Sequence, residues 1–176
     1  MGNNISNNFE KNIENNNILY ILTKYNKCFQ LNNNKLTLNI CTKTNSKYKG
    51  LNVLHIAVLL NKNDLVKKLL GKIKLNKEKL NNSIYKNIID KKTSDGKNNT
   101  PLIFACMEGN INIVQALVKY GANIFLKNSE GKTAYDYVKN DKTKDEIKYY
   151  FNSLILNKKQ INNFIKEGFN SYYLKS

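Results

Sequence analysis

The sequence contains no arginine, so all 29 of its basic residues are lysines. It has a single histidine, His55, and three widely separated cysteines, Cys28, Cys41 and Cys106. Sequence-specific reading of DNA bases relies on arginine forks, and zinc sites or disulfide scaffolds need matched ligands or pairs, so these classes are disfavoured. The longest apolar run, Val53 to Leu60, is far shorter than the ~20 residues that cross a bilayer. We expect neither a transmembrane helix nor a secretory signal.

Positive charge is what the sequence has in excess, with a formal net charge of +16 at pH 7. The excess is uneven: residues 50–93 hold ten lysines against three acidic residues, whereas residues 94–140 hold five against four. A basic surface attracts phosphate-rich partners such as nucleic acid or an anionic lipid leaflet. The abundance of lysine and asparagine is also typical of AT-rich coding DNA, so only part of this charge indicates a function.

An internal repeat decides the expected architecture. Residues 95–123 carry its elements in order: Thr100-Pro101-Leu102, Gly109-Asn110, Ile113-Val114, Leu117 and Gly121-Ala122-Asn123. The Thr100 hydroxyl suits a helix N-cap, and Pro101 suits the first helical position because its missing N–H would be unpaired there. Gly109 suits a left-handed stop after that helix. The segment therefore predicts two helices joined by a tight turn.

Two further copies flank this segment. Thr133 follows Thr100 by 33 residues and begins a copy that lacks the proline and the mid-repeat glycine, with its second helix predicted over 143–156. Upstream, Asn52 takes the place of Thr100 as the cap, and His55 lies within the first helix. Leu54 and Leu102 are 48 residues apart, so we assign the additional length to a loop over about 72–93.

These motifs resemble the ankyrin-repeat family. The resemblance implies an all-α ankyrin-repeat solenoid of about three helix-turn-helix repeats with degenerate caps at both ends, the N-terminal one over Ile18 to Leu31. We expect a disordered asparagine-rich tail over 1–17, the repeat domain over 18–157 and a C-terminal helix or tail over 158–176. The apolar residues of the segment 158–176 include Ile161, Phe164, Ile165 and Phe169.

The resemblance also implies where a partner binds, because ankyrin domains generally use the turn tips and the exposed side of the first helices, on the concave face. Carried over by position, the candidates are Tyr48, Lys49, Leu51, Leu59 and Leu60 in the first copy, Lys97, Asn99, Met107 and Glu108 in the second, and Glu130 and Lys132 in the third. The apolar ones would form a contiguous strip if exposed; the alternative is that the N-terminal segment covers them. In the family the histidine hydrogen-bonds within the turn, so we expect a structural role for His55 and packing for Cys106.

The first residues, Met1 to Ser6, match the N-myristoylation pattern with Gly2 as the acceptor. One myristoyl chain holds a membrane only marginally, and a second signal could come from lysines on the repeat surface: Lys62, Lys67, Lys68, Lys72, Lys74, Lys77 and Lys79. We find no motif for catalysis, a metal or a cofactor. The leading prediction is a non-enzymatic cytoplasmic scaffold that binds a protein, tethered to the cytosolic face of a membrane. The alternatives are a lysine-rich nucleic-acid-associated protein and a regulatory subunit of an enzyme encoded elsewhere.

Overall fold

The computed structural model describes residues 11, 15, 48, 50–75 and 88–157. Four of its helices are α1 (Val53–Leu59), α2 (Asn63–Leu75), α3 (Pro101–Glu108) and α4 (Ile111–Lys119), and a fifth, α5, covers residues 145–157. Single 3₁₀ turns lie at Tyr135–Tyr137 and Lys142–Lys144, and the described residues contain no strand. The predicted tail over 1–17, the cap over 18–31 and the segment 158–176 lie outside these residues, except for Lys11 and Asn15.

The helices form two stacked layers. The inner layer consists of α1, α3 and the 3₁₀ turn Tyr135–Tyr137, which pack against one another in chain order, while α2 packs against α4 in the outer layer. Phe151 of α5 meets the ring of Tyr135 edge-on at 6.2 Å between centroids, so α5 covers the third inner element as α2 and α4 cover the first two. The prediction of an all-α repeat solenoid is confirmed.

Capping residues set the start of both complete inner helices. Asn52 Oδ1 accepts a hydrogen bond from the His55 backbone N–H at 2.9 Å, and the Asn52 N–H donates to His55 Nδ1 at 3.2 Å. The Thr100 hydroxyl oxygen accepts from the Ile103 N–H at 3.3 Å, with Pro101 at the first helical position. Both side chains satisfy N–H groups that a helix start leaves without an internal partner. The prediction that Asn52 replaces threonine as a cap is confirmed.

A left-handed residue lies two positions before each cap. These residues are Gly50 (φ 79°), Asn98 (φ 57°) and Gly131 (φ 72°), and they precede Asn52, Thr100 and Thr133. At Gly50 the requirement for glycine is doubled, because a Cβ there would lie 2.7 Å from the backbone nitrogen of Asp95. The shared backbone conformation shows that the three loops are copies of one turn.

The third copy departs from the other two. Thr133 does not begin a full helix: Asp136 Oδ2 accepts from both the backbone N–H and the hydroxyl of Thr133, each at 2.8 Å, and the chain then forms only the 3₁₀ turn. Val138 leaves the helical region with φ −121°. The expectation of an inner helix equivalent to α3 is therefore wrong. The residues after Thr133 form one 3₁₀ turn, which ends at Tyr137.

The outer helix of the first copy is longer than expected. α2 continues to Leu75, inside the segment assigned to a loop over 72–93. Ile73 explains the extension, because it is fully buried and continues the apolar stripe of Leu65 and Leu69. Ile88 and Ile89, at the other end of that segment, are also buried, and residues 76–87 lie outside the described part of the chain.

A single apolar core runs through all three copies. Cys106 is fully buried within it, and desolvation raises the pKa of its thiol to about 12, so the thiol stays protonated and packs as a small apolar side chain. Among the described helices none has the length and apolarity needed to cross a membrane.

Candidate partner-binding surface

We term the loops that precede the inner elements fingers; the first precedes Asn52, and the second and third share one hydrogen-bond pattern. In the second finger (93–99), Thr93 N–H donates to Asn99 O at 2.9 Å and Asn99 N–H donates to Thr93 Oγ1 at 3.1 Å. In the third finger (128–132), Asn128 N–H donates to Lys132 O and Lys132 N–H donates to Asn128 Oδ1, each at 3.0 Å. Thr93 and Asn128 thus each join the first residue of a finger to its last by two hydrogen bonds, although the second finger is longer.

Hydrogen bonds also join neighbouring fingers. Ser94 N–H donates to the carbonyl of Gly50, in the first finger, at 3.0 Å. Ser129 donates to the carbonyl of Lys97 twice, through its N–H and its hydroxyl, each at 2.9 Å. The three tips are therefore held side by side, and side chains on them have fixed relative positions.

Below the tips lies a short buried chain of polar side chains. Asn128 Nδ2 donates to Asn99 Oδ1 at 2.9 Å and to the hydroxyl of Tyr137 at 2.8 Å. Because Asn99 is only 4 % exposed and its carbonyl oxygen is occupied, it stabilises the stack of fingers and is inaccessible to a partner. The assignment of Asn99 as a partner-binding residue is corrected on this ground.

His55 is also used by the fold. Its ring is fully buried, with Nδ1 accepting from the Asn52 N–H and Nε2 2.7 Å from the carbonyl of Lys91. This arrangement requires a neutral ring protonated on Nε2. Desolvation by burial lowers the His55 pKa from 6.5 to about 4. The structural role expected for His55 agrees with this geometry, since both ring nitrogens have partners within the protein.

The structure exposes some of the proposed binding residues and buries others. Lys97, Glu108, Glu130 and Lys132 are exposed, and Met107 is 40 % exposed. They occupy the second and third fingers and the end of α3. Their exposure makes them accessible, whereas the binding role assigned to them stays a prediction.

The expected apolar strip is not accessible as a whole. Tyr48 and Leu51 are each 7 % exposed and belong to the core, and a hydrogen bond of 3.0 Å from the Leu51 N–H to the Tyr48 carbonyl closes a turn just before α1. Leu59 and Leu60 are half-buried, and Lys49 lies outside the described residues. Of the two alternatives left open for the strip, exposed or covered, its described residues in the first copy are buried or half-buried.

Ion pairs fix several charges of the third copy. Lys132 Nζ lies 2.7 Å from Glu130 Oε2 and 5.6 Å from the centre of the Tyr137 ring, and the hydrogen bond from Lys132 lowers the Glu130 pKa. Asp136 pairs with Lys139 at 2.8 Å, and hydrogen bonds from Lys139 and Thr133 hold its pKa well below the usual range. The sequence analysis missed Asp136, although its spacing of three residues after Thr133 is the signal of a capping box.

The comparisons with known proteins agree with this geometry. The family model for ankyrin repeats, in three copies, matches residues 54–143, slightly more than half of the chain. The chain belongs to the ankyrin-repeat family. One chain of the crystal structure of the yeast ribosomal protein Rps3 in complex with its chaperone Yar1 is similar to this ankyrin domain, with a TM-score of 0.62 and 19% identity, over 87% of this chain and 94% of that chain. At that identity the similarity shows the fold alone. No curated protein matches the chain.

The ankyrin repeat is typically an interaction module without catalytic chemistry. Within the described residues no group of three or more His, Cys, Asp or Glu side chains is arranged to hold a metal ion. This ankyrin domain thus presents a fixed row of charged finger tips and, at the end of α3, the exposed thioether of Met107.

Proposed function

We propose that this ankyrin domain is a non-enzymatic adaptor that binds a partner protein along its second and third fingers and the end of α3. The supporting observation is the pair of hydrogen bonds from Ser129 to the Lys97 carbonyl, which holds Lys97 beside the third finger. Rigid presentation lowers the entropy lost on binding. The similar fold in a complex of a ribosomal protein with its chaperone supports a protein as the partner.

The binding surface combines one thioether with several charges. Met107 supplies a flexible apolar contact, while Lys97 and Lys132 supply positive charge and Glu108 and Glu130 negative charge. A complementary partner would place an apolar side chain at Met107 and alternate acidic and basic groups over the fingers. Such a pattern contributes specificity and association rate more than affinity.

Site-specific photo-crosslinking in cells tests this proposal. A photoreactive amino acid is introduced at Lys97, on the second finger, and in a matched variant at Gln115, which is exposed on α4 in the outer layer. We expect a discrete crosslinked protein from position 97 and not from position 115. A discrete product from position 115 alone would contradict the assignment to the fingers.

We further propose that the adaptor is held on the cytosolic face of a membrane by a myristoyl group on Gly2. The supporting observations are the N-terminal pattern from Met1 to Ser6 and the exposed Lys67 and Lys68 on α2, which can add attraction to an anionic leaflet of about 1 kcal/mol each. Gly2 itself lies outside the described residues.

Intact mass after co-expression with an N-myristoyltransferase tests the lipid anchor, with Gly2→Ala as the control. The wild type should gain the mass of one myristoyl group and float with anionic liposomes, and Gly2→Ala should do neither. Equal masses and equal flotation for the two proteins would exclude this anchor while leaving the binding role of the fingers untouched.

A further inference from the structure

A cavity of about 460 Å³ lies between the end of α4, the loop after α4, and the second half of α5. Among the described residues, its lining includes the apolar side chains of Val118, Ile124, Phe125 and Leu154. No candidate partner-binding residue is part of that lining. The cavity is therefore a feature separate from the fingers.

The apolar side of this cavity is accessible. Phe125 is 53 % exposed, and Val118, Ile124 and Leu154 are half-buried. Adjacent apolar side chains that remain accessible on the surface of a small domain indicate a place where something binds.

The loop that carries Phe125 is held in place by its own polar groups. Asn123 N–H donates to Asp90 Oδ1 at 2.9 Å, and Phe125 N–H donates to Asn123 Oδ1 at 3.0 Å. These bonds fix the backbone on both sides of Ile124. The cavity wall is consequently preformed, so an apolar segment that enters it does not have to order this loop.

Residues 158–176 follow the cavity wall directly in the chain. Leu154 lines the cavity, and residue 158 comes four residues later, or about 6 Å along a helix. Residues 158–176 contain Ile161, Phe164, Ile165 and Phe169, whose spacing is that of one apolar helix face.

We propose that residues 158–176 dock in this cavity, with their apolar side chains against Phe125 and its apolar neighbours, and so form a cap over the cavity. The short connection to α5 favours this occupant. A segment tethered so closely has an effective concentration in the millimolar range, which a separate protein or a second copy of the chain does not reach in a cell. The proposal does not depend on the function proposed for the fingers.

Fluorescence of the full-length chain tests this cap, because the sequence contains no tryptophan. Phe125→Trp places a single fluorophore on the cavity wall, and Tyr149→Trp places one on an exposed part of α5 that does not line the cavity, Tyr149 being 65 % exposed. Each reporter is combined with serine at Ile161, Phe164, Ile165 and Phe169. The matched control has serine at Asn162, Asn163, Lys166 and Asn170, which leaves the apolar face intact.

We expect the apolar-to-serine set to shift the emission of the residue 125 reporter to longer wavelength and to increase its quenching by acrylamide. The matched set should leave it unchanged, and the residue 149 reporter should respond to neither. Far-ultraviolet circular dichroism establishes that each variant is folded. Equal emission and quenching at residue 125 with both sets would overturn the proposal. So would shielding of residue 125 that disappears on dilution, which would identify a second copy as the occupant.

Discussion

Thr100 and Thr133 begin two copies of the same repeat, and the two copies build different inner elements. After Thr100, Pro101 and a run of buried residues continue the eight-residue helix α3. After Thr133, Asp136 closes a single 3₁₀ turn by accepting two hydrogen bonds from the threonine. The cap residue alone does not decide whether a helix grows. The residues after it decide: α3 contains a continuous run of six buried residues, whereas the turn Tyr135–Tyr137 contains no buried residue.

The two complete hairpins, α1–α2 and α3–α4, also differ from the third copy in the kind of polar interaction they contain. The hairpins rely on buried groups such as His55 and Thr100, whereas all four ion pairs between described residues lie within residues 130–148. Exposed ion pairs contribute about 0–1 kcal/mol each. We therefore expect stability to be more sensitive to changes in the hairpins than to equivalent changes in the third copy.

The largest expected effect is a loss of stability in mild acid through His55. Its pKa is about 4 in the folded chain against 6.5 in the unfolded one, so the unfolded chain takes up the proton first. The contribution of neutral His55 to the free energy of unfolding is fully present above pH 6.5. It is lost as the pH is lowered towards 4, by about 3 kcal/mol in total. Urea unfolding at a series of pH values measures this slope.

His55→Ile is the matched control for that measurement, because Ile103 occupies the equivalent position in the second hairpin. The variant should lose most of the pH dependence between pH 6.5 and 4.5. A slope as steep in His55→Ile as in the wild type would assign the effect to another group.

The next effect compares two finger glycines. Gly50→Ala forces an alanine into the left-handed region and brings its Cβ within 2.7 Å of the Asp95 nitrogen. Gly131→Ala has the same backbone strain, about 1–2 kcal/mol, but its Cβ would meet nothing within 4 Å. Thermal unfolding should show the larger loss for Gly50→Ala. Equal losses would mean that the first and second fingers are not in close contact.

A smaller effect distinguishes the two cap residues. Thr100→Ala should cost about 1 kcal/mol, because the N–H of Ile103 loses its acceptor at the start of a full helix. Thr133→Ala should cost less, since only one 3₁₀ turn depends on it. Chemical denaturation of both variants provides the comparison, and a greater loss for Thr133→Ala would reverse the ranking of the two copies.

The smallest expected effect is a gain. Ala134 has φ −56°, which proline also adopts, and it takes the place that Pro101 has in the second copy. Ala134→Pro should stabilise the chain by about 0.4–1 kcal/mol through the unfolded state. A fall in melting temperature would show that the third copy needs a conformation that proline excludes.

Much of the fold could be predicted because repeat motifs specify local geometry. The caps at Asn52 and Thr100 and the left-handed Gly109 follow from residue type and spacing alone. The left-handed Asn98 was not foreseen, because the longer second finger shifts the alignment of its residues with those of the third. The short inner element of the third copy was not predicted, because the capping pattern of Thr133 and Asp136 indicates where a helical turn begins and not where it ends.

The binding surface was less predictable, because exposure depends on which neighbour covers a residue. Lys97 and Lys132 are charged residues on turn tips, so their exposure followed from their position. Leu51 and Asn99 occupy comparable places but are buried, and Asn99 bonds to Asn128, a residue distant in the chain. Such contacts become visible only when the copies are stacked.

The most direct measurement of the central claim is the affinity of the partner found by crosslinking. Isothermal titration compares the wild type with Lys97→Glu combined with Lys132→Glu, and with Lys67→Glu combined with Lys68→Glu on the outer layer. The finger pair should weaken binding about tenfold or more, equal to about 1.4 kcal/mol, and the outer pair should leave it unchanged. Unchanged binding in the finger pair together with loss in the outer pair would contradict the account.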